Sequence, residues 1–436
     1  MNSAGPMPLV DKWSEEFRTL PAGAGPAWLE KLKEQSAAQF AIAGLPNRKT
    51  EAWKYTPLRM LEQLSPQFLE TGSDQPTVVR FPEPLCPAEA GTVEIFDGEL
   101  CGPLPETKPG LSLLTLNEGI AKFGMMLQQV LESTDTTSPG NAFTALNTAF
   151  LDQGLVVRVD ENVKAGSLLI RWSLSGSDRA QMGNFRLVVL LEPGAELELI
   201  EQFESVGQTS AALNIVTQVN LAEGAGLKHV RVQNESDGVV LLTSTSVEQA
   251  ARSHYRYSGF DLGGGLVRHA LSARLAGAGA EAGFDGAFVL DRKRHVDNHV
   301  SVDHAAPGCS SNQYFRGVLG GSSRGVFNGR ALIRPGADGS SVRQSNANLL
   351  LSALAEMDTK PELEIYADEV EASHGATVGQ LDETAIFYLR SRGLSEDQAR
   401  RILTMAFCHA VTDRLADRSL AERVSVMIDA AMPGSP

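Results

Sequence analysis

The sequence predicts a mainly β protein whose core is a β-helix, a solenoid of short strands, with helical segments on both sides. From Gly154 onward, strands of alternating apolar and polar residues follow one another without intervening helices. Turns containing Gly-Ala or Ala-Gly separate them, with leading glycines at Gly166, Gly194, Gly224, Gly277 and Gly336. An ordinary sandwich also has short strands and glycine turns. Glycines spaced by one or two units of a period of about 28 residues favour a solenoid.

Helical patterns precede this core. Residues 1–60 are predicted to form an N-terminal helical arm with a break at residues 21–26. Residues 61–153 are predicted to be a mixed connecting region that leads into the solenoid. Within it, residues 111–131 have mixed helical character, and residues 141–150 are predicted to form a short amphipathic helix.

The β-helix core is predicted over residues 154–377 and a C-terminal helical domain over residues 378–436. Inward residues of the core are expected to stack into a continuous apolar interior. The end coils expose unpaired backbone edges, which require a cap or a partner chain. In the C-terminal domain, SEDQ at residues 395–398 is a capping box. The helix that follows has a predicted buried stripe made of Ala399, Ile402, Leu403, Ala406, Phe407, Ala410 and Val411.

Composition and missing motifs exclude several functions. Apolar residues make up 42% of the chain, which is enough for a sizeable core, and the net charge of −15 argues against nucleic acids and anionic membranes as partners. The four cysteines form no C-x-x-C pair, which argues against a disulfide framework or a zinc ribbon. No P-loop occurs, so we do not expect an ATPase of that kind. No signal peptide or apolar run of ~20 residues is seen, so we expect a cytoplasmic protein.

One polar strand offers the best case for an enzyme. In HVDNHVSVDH at residues 295–304, strand alternation predicts that the polar residues share one face, namely His295, Asp297, His299, Ser301 and Asp303. Imidazoles and carboxylates on one face suit zinc or iron, so a metal-dependent hydrolase using the two histidines and two aspartates is one hypothesis. The alternative is a solvated outer face with the intervening valines turned inward, and the alternation favours it.

Two further features can be functional or structural. Residues 48–58, RKTEAWKYTPL, can dock a partner, but an aromatic anchor that holds the helical arm to the next domain is the interpretation we favour. His374 lies between small residues in SHGATVG, where the β region gives way to helices. These neighbours leave room for the imidazole to contact a partner or a metal. A local hydrogen bond is the commoner role of such a histidine.

Several motifs follow one another along the chain. They are RKTEAWKYTPL (48–58), YFRGVL (314–319), RGVFNG (324–329), QSNANLLL (344–351), SHGATVG (373–379) and FYLRSRG (387–393). Together they resemble the SufB/SufD family of the SUF iron–sulfur cluster assembly scaffold, and RGVFNG and SHGATVG resemble its SufD branch. The resemblance covers most of the chain and is weakest over residues 62–150. It implies a right-handed parallel β-helix and a non-enzymatic scaffold subunit.

The resemblance also implies partners. The chain would pair with SufB through the β-helix, and each subunit would bind one SufC ATPase. The SufC surface would lie on the C-terminal helices, at Phe387, Tyr388, Leu389, Arg390 and Arg392. His374 matches the family's functional histidine and would act as a metal ligand at the interface where the cluster is built. The cysteine ligands would come mainly from SufB.

The resemblance implies no tightly held cofactor on the chain alone. An iron–sulfur cluster would form transiently at the interface, and a reduced flavin is associated with the family, although no flavin motif is present. Many relatives carry Cys two residues before the functional histidine, where this chain has Ala372. A role that needs that thiol is therefore in doubt. The isolated chain is expected to form homodimers through the open solenoid end. In a purely structural solenoid, His374 would only pack.

Overall fold

The computed structural model describes residues 7–20, 25–68, 81, 83–175 and 180–433. Most of the break predicted at residues 21–26 lies outside these ranges. The described chain is mainly a parallel β-helix with helices before and after it, as the sequence predicts. Successive strands of the β-helix join two sheets in alternation, so that each coil contributes one strand to each sheet.

Sheet A begins at the C-terminal end of the β-helix. Its strands, in spatial order, are β19 (Glu356–Ile365), β17 (Arg324–Ile333), β15 (His295–His304), β13 (Leu266–Leu275), β11 (Gly238–Gln249), β9 (Ser210–Leu221), β7 (Gln181–Leu191), β5 (Gln153–Val159) and β4 (Leu111–Thr115). The short strand β1 (Gln67–Phe68) pairs with β7. Strands β4 and β5 are antiparallel, and the other pairs in this sheet are parallel.

Sheet B lies opposite sheet A. Its strands, in the same direction, are β20 (Val370–Gly379), β18 (Ser340–Leu350), β16 (Ser310–Leu319), β14 (Glu281–Leu290), β12 (His254–Asp261), β10 (Gly226–Asn234), β8 (Glu196–Ser205), β6 (Lys164–Leu174), β2 (Gly91–Phe96) and β3 (Glu99–Leu100). The connecting region therefore extends both sheets, through β4 in sheet A and through β2 and β3 in sheet B.

Strand register confirms the period inferred from the glycines. Gly226 pairs with His254, and His254 pairs with Glu281, so neighbouring coils are related by about 28 residues. Two turns missing from the glycine series carry Arg252 and Gly308, with φ of 54° and 68°. At Arg252, a residue other than glycine adopts the positive φ that such residues rarely have. No glycine therefore marks this turn in the sequence.

Eight α-helices of the described chain flank the β-helix. They are α1 (Leu9–Thr19), α2 (Ala27–Ala43), α3 (Arg59–Leu64), α4 (Leu116–Glu132), α5 (Ala142–Ala149), α6 (Glu383–Ser391), α7 (Glu396–Thr412) and α8 (Arg418–Ala431). The helix predicted over residues 111–131 begins only at Leu116. Leu111 and Leu113 instead point into the core from β4, and a capping box between Thr115 and Glu118 starts α4.

The C-terminal helices pack along the outer face of sheet B. Cys408 and Val424 contribute to the same apolar cluster as Ile200, Val230 and Phe260 of the sheet. On the other side of the molecule, the N-terminal arm and α5 pack against sheet A. The helices thus cover the faces of the β-helix and leave its C-terminal end open.

The buried face of α7 differs from the predicted stripe. Ala399 and Val411 are buried as predicted, but Ile402 is exposed, and Thr404, Cys408 and Thr412 complete the buried face. The two threonine hydroxyls are satisfied locally. Thr404 donates to a backbone carbonyl 2.9 Å away, and Thr412 lies 2.9 Å from the Ser425 hydroxyl. Local hydrogen bonds offset the free-energy cost of burying these polar atoms. A pattern of hydrophobic residues in the sequence does not reveal such bonds.

The lumen between the sheets contains the largest apolar cluster of the protein. This cluster extends from Ile95 and Leu113 at one end to Phe315 and Phe327 near the other. The interior is not continuously apolar, however, which corrects the sequence expectation. Charged and hydroxyl-bearing side chains interrupt it in the middle coils, where several of them form hydrogen bonds and ion pairs with one another.

Candidate functional site

His374 lies on the last strand of the β-helix. Strand β20 pairs with β18 on one side, and within the described residues no strand covers its other side. Strand β19 is the corresponding terminal strand of sheet A. His374 is exposed at this end. The open coil anticipated from the sequence is therefore present, and it carries the histidine identified by its motif.

The register places His374 on the inward side of β20. It lies opposite Gln344 of β18, which lies opposite Gln313 of β16. Both glutamines are buried in the lumen, and paired residues of neighbouring parallel strands point to the same side. The imidazole therefore stands at the rim of the lumen. Ala372 lies two residues earlier on the same side of β20, so a side chain at that position faces the same rim.

The last coil exposes a group of large apolar side chains. They are Leu351, Leu354, Ile365, Tyr366 and Val378. They accompany the unpaired edges of β19 and β20, whose backbone donors and acceptors are free to continue both sheets. Exposed apolar surface next to open strand edges is typical of an interaction surface.

The five residues assigned to SufC binding lie on or just after α6. Phe387 and Tyr388 are 71% and 56% exposed, whereas Leu389 is half-buried. Arg392 lies over the Tyr388 ring, 5.4 Å from its centroid, and Arg390 pairs with Glu396 at 3.3 Å. Two adjacent exposed aromatic rings with an arginine form a surface of the kind that dominates protein interfaces.

The polar strand at residues 295–304 is not a solvated face. Its valines point inward as predicted, but Asp297 is almost completely buried on the outer side. The Thr56 hydroxyl donates to Asp297 and lies 3.1 Å from His295 Nε2, and Arg268 forms an ion pair with Asp297. The segment at residues 48–58 therefore covers this strand, which corrects the expectation of a solvated surface.

These contacts determine the protonation of the two buried groups. Burial lowers the pKa of His295 to about 4, so the imidazole is neutral at physiological pH. Burial disfavours the Asp297 carboxylate, but the Arg268 charge outweighs it and holds the pKa of Asp297 well below its usual range. Asp297 is therefore an ionised acceptor held by Arg268 and Thr56.

The remaining residues of the proposed hydrolase site also have partners. His299 Nε2 lies 3.0 Å from Asp297, and Asp303 pairs with Arg334 at 2.8 Å. Within the described residues, no group of three or more His, Cys, Asp or Glu is arranged to hold a metal ion. The geometry therefore favours a structural role for this strand, in which its outer face binds the N-terminal segment.

Sequence reasoning missed a buried polar network inside the β-helix. Glu201 of β8 accepts from His229 at 2.8 Å and from Arg231 at 2.9 Å. Burial opposes the charge on Glu201, but Arg231 and His229 lower its pKa to about 2. Burial also lowers the pKa of His229. His229 is therefore neutral, donating to Glu201 through Nε2 and accepting from Tyr255 at Nδ1.

The network continues across the lumen into sheet A. Arg231 donates to Thr243 at 2.8 Å and approaches Nδ1 of His269 at 3.0 Å. Because a guanidinium can only donate, Nδ1 of His269 is the acceptor, and its Nε2 donates to Asp261 at 2.8 Å. Asn298 also donates to Asp261. Strand alternation places some of these polar residues inward, but it does not show that they meet.

The cysteines do not form a ligand set. Cys86, Cys309 and Cys408 are buried, and Cys101 is partly exposed. Burial raises the pKa of all four thiols, to about 11 for Cys86 and about 12 for Cys408. Metal ligation requires a thiolate, so this chain is a poor source of sulfur ligands by itself.

No helix in the described ranges is both long enough and apolar enough to cross a membrane. The family model described as "SUF system FeS cluster assembly, SufBD core domain" matches residues 174–407, which is more than half of the chain. This stretch extends from the end of β6 into α7 and includes His374 and α6.

Similar proteins match over most of their length. The iron–sulfur cluster assembly protein SufD of Escherichia coli K12 is 28% identical over 404 residues, covering 92% of this chain and 92% of that protein. An iron–sulfur cluster assembly SufBD family protein of Synechocystis is 29% identical over 404 residues, covering 90% and 89%. A SufBD family protein of Mycobacterium tuberculosis is 28% identical over 393 residues, covering 88% and 89%.

Proposed function

The chain belongs to the SufBD family as a SufD-type member, and we propose that it is a non-enzymatic scaffold subunit of an iron–sulfur cluster assembly complex. The family and the similar SufD proteins support a role in iron–sulfur cluster assembly. The observation that carries the proposal is the open end of the β-helix. There, two terminal strands have unpaired edges and His374 stands at the rim.

The proposed partner at this end is a SufB-type subunit. A second β-helix docked here continues sheets A and B through the free edges of β19 and β20 and covers the exposed apolar residues of the last coil. The cluster is assembled at the junction, where His374 offers an imidazole, a good ligand for iron. Because the thiols of this chain are largely buried, the partner supplies the sulfur ligands.

The proposed site for a SufC-type ATPase is the exposed surface of α6. Phe387 and Tyr388 contribute the apolar contacts, with Leu389, Arg390 and Arg392 at their border. Because α7 is packed on sheet B, a force applied at this surface is transmitted to the β-helix. ATP-driven movement of the bound ATPase thereby strains the junction at the open end.

The proposal assigns no resident cofactor to this chain. The iron–sulfur cluster is the product assembled by the complex, and a reduced flavin acts, where used, at the level of the complex. The proposed compartment is the cytoplasm. A homodimer through the open end is the proposed state of the isolated chain, since a second copy presents the same unpaired edges.

The test is reconstitution of the complex from the tagged full chain and SufB-type and SufC-type subunits of the same organism. We expect the three proteins to copurify and to assemble a cluster from ferrous iron and a sulfur donor under anaerobic conditions. His374→Ala should lower cluster formation and leave the complex intact. His254→Ala, at an exposed histidine of β12, is the matched control and should have no effect. Failure of the full chain to recover a SufB-type subunit contradicts the proposal.

A further inference from the structure

We propose that Gln344 is a positioning residue for His374. When the imidazole turns toward the lumen, the side-chain oxygen of Gln344 accepts a hydrogen bond from one of its N–H groups, and the other ring nitrogen carries its lone pair toward the open end. The inference rests on the proposed function in one respect, the role of that nitrogen as an iron ligand. The hydrogen bond itself is argued from the geometry of the last coils.

Three residues form one inward column at the end of sheet B. Gln313, Gln344 and His374 occupy corresponding positions on β16, β18 and β20. Neighbouring parallel strands are about 4.8 Å apart, so each side chain in such a column lies over the next. Gln344 is therefore the polar side chain directly behind the imidazole.

The free atom of Gln344 is an oxygen. Its amide nitrogen donates to the backbone carbonyl of Gly329 at 3.1 Å, which determines the orientation of the amide because a carbonyl can only accept. The oxygen at the other end, Oε1, is buried and has no donor in the described chain. Gln313 repeats the arrangement one coil deeper, with its nitrogen 3.4 Å from the Arg330 carbonyl and its own Oε1 without a donor.

Gln344 Oε1 has no donor in the part of the chain that the structure describes, and the His374 imidazole can supply one by turning toward the lumen. On β20, the inward neighbours of His374 are Ala372 and Ala376, which have no polar side-chain atoms. Across the lumen, the corresponding positions of sheet A are Gly329 and Pro361. The nearby hydroxyl of Thr359 and the amide of Asn348 are already used, since both donate to Asn346.

Burying an acceptor without a donor is unfavourable, so the fold favours a donor at this position. An imidazole that donates through one nitrogen is held in one tautomer and one orientation, and its other nitrogen can ligate a metal. The two buried atoms of the column that have no hydrogen-bond partner in the described chain are both amide oxygens. These are the negative ends of amide dipoles, so a cation at the rim is favoured over an anion. Ferrous iron, rather than sulfide, is the substrate that this arrangement suits.

The test combines a tautomer measurement with iron binding, using the full chain in complex with its SufB-type partner. Histidine is labelled with ¹⁵N, and two-bond ¹⁵N–¹H correlations report the ring tautomers, with His374→Ala identifying the resonance of interest. We expect a single neutral tautomer for His374 in the wild-type complex. Gln344→Leu should produce a mixture of tautomers and weaken anaerobic Fe²⁺ binding about 10- to 100-fold.

Two variants separate positioning from a general effect on folding. Gln344→Glu keeps an acceptor beside the ring and should restore the single orientation, although it also loses the donor to Gly329. Gln313→Leu removes the same kind of side chain one coil deeper and should leave the tautomer of His374 unchanged. Thermal melts establish that each variant is folded.

The inference is overturned if folded Gln344→Leu has the wild-type tautomer of His374, or if Gln313→Leu disturbs it equally. Failure of the proposed function has a different signature. In that case, His374→Ala would leave iron binding and cluster formation unchanged, while the tautomer measurement still decides the role of Gln344.

Discussion

The guanidinium of Arg268 lies 4.0 Å from the centroid of the Trp53 ring and at the same time pairs with the Asp297 carboxylate. Arg268 and Asp297 belong to neighbouring strands of sheet A, whereas Trp53 belongs to the N-terminal segment. Trp53 also packs against Phe143 and donates to the Gly140 carbonyl at 2.9 Å. This relationship shows that residues 48–58 hold the helical arm to the β-helix, as the aromatic pattern predicts.

Removing the Trp53 ring should loosen this attachment. Trp53→Ala is expected to lower the free energy of unfolding by about 3–5 kcal/mol, because it leaves a cavity and removes the contact with Arg268. Denaturant titration measures the loss, and limited proteolysis should show earlier cleavage in the N-terminal segment. Tyr55→Ala is the control, since Tyr55 is a partly exposed aromatic residue of the same segment. Equal losses for the two variants would contradict the anchoring role.

Removing one charge from the buried polar network in the lumen should strongly destabilise the fold. Arg231→Met leaves Glu201 buried without its strongest partner, and we expect a loss of about 3–5 kcal/mol in the free energy of unfolding. Adding Glu201→Gln should recover part of the loss, because the uncompensated charge is then absent. Urea unfolding of the two single variants and the double variant tests this coupling. Additive losses would show that the two residues act independently.

Glu235 should make the protein less stable as the pH rises. Burial raises its pKa to about 7, from 4.5 for an ordinary glutamate. Below about pH 4.5 Glu235 is protonated in both the native and the unfolded protein, so its full contribution to the free energy of unfolding is present. Between about pH 4.5 and pH 7 the unfolded chain releases the proton and the native chain retains it, which progressively removes that contribution.

Glu235→Gln should therefore gain stability relative to the wild type over this pH range, by about 3 kcal/mol. Urea unfolding at several pH values measures the difference between the two proteins. Glu161→Gln, at an exposed position, is the control and should show no such trend. A difference between Glu235→Gln and wild type that does not change with pH would refute the assignment.

The exposed rings of α6 should matter for binding and not for folding. Phe387→Ala and Tyr388→Ala are each expected to weaken the affinity for the SufC-type ATPase at least about tenfold, with melting temperatures unchanged. Titration calorimetry with the purified ATPase measures the affinity. Val426→Ala on α8 is a matched control, because Val426 is an exposed apolar residue on another helix. Wild-type affinity in both α6 variants would place the ATPase elsewhere.

Much of the fold follows from local signals. The β-helix period is marked by turn glycines such as Gly194 and Gly224, which adopt the left-handed conformation that glycine tolerates best. The turn at Arg252 could not be recognised in this way, because an arginine adopts the positive φ there in place of a glycine. The start of α4 was misplaced because alternating Leu111 and Leu113 also fit a helical pattern when read next to Leu116.

The candidate site also has parts that the sequence predicts and parts that it does not. His374 was identified from its motif, and its place near the end of the β region follows from the change of pattern around it. The burial of Asp297 was not predictable, because Thr56 covers it from a segment more than two hundred residues earlier in the chain.

By itself the sequence determined the β-helix, its period and the helical segments on both sides, and it singled out His374 as a candidate site residue. These depend on side-chain alternation, turn conformations and short motifs, which are properties of neighbouring residues. Only the tertiary structure decided that Gln344 lies behind His374, that Glu201 and Arg231 share the lumen, and that the polar strand is covered by the N-terminal segment. Each of these depends on register or packing between distant parts of the chain, and the free energy of such contacts arises only when the coils are stacked.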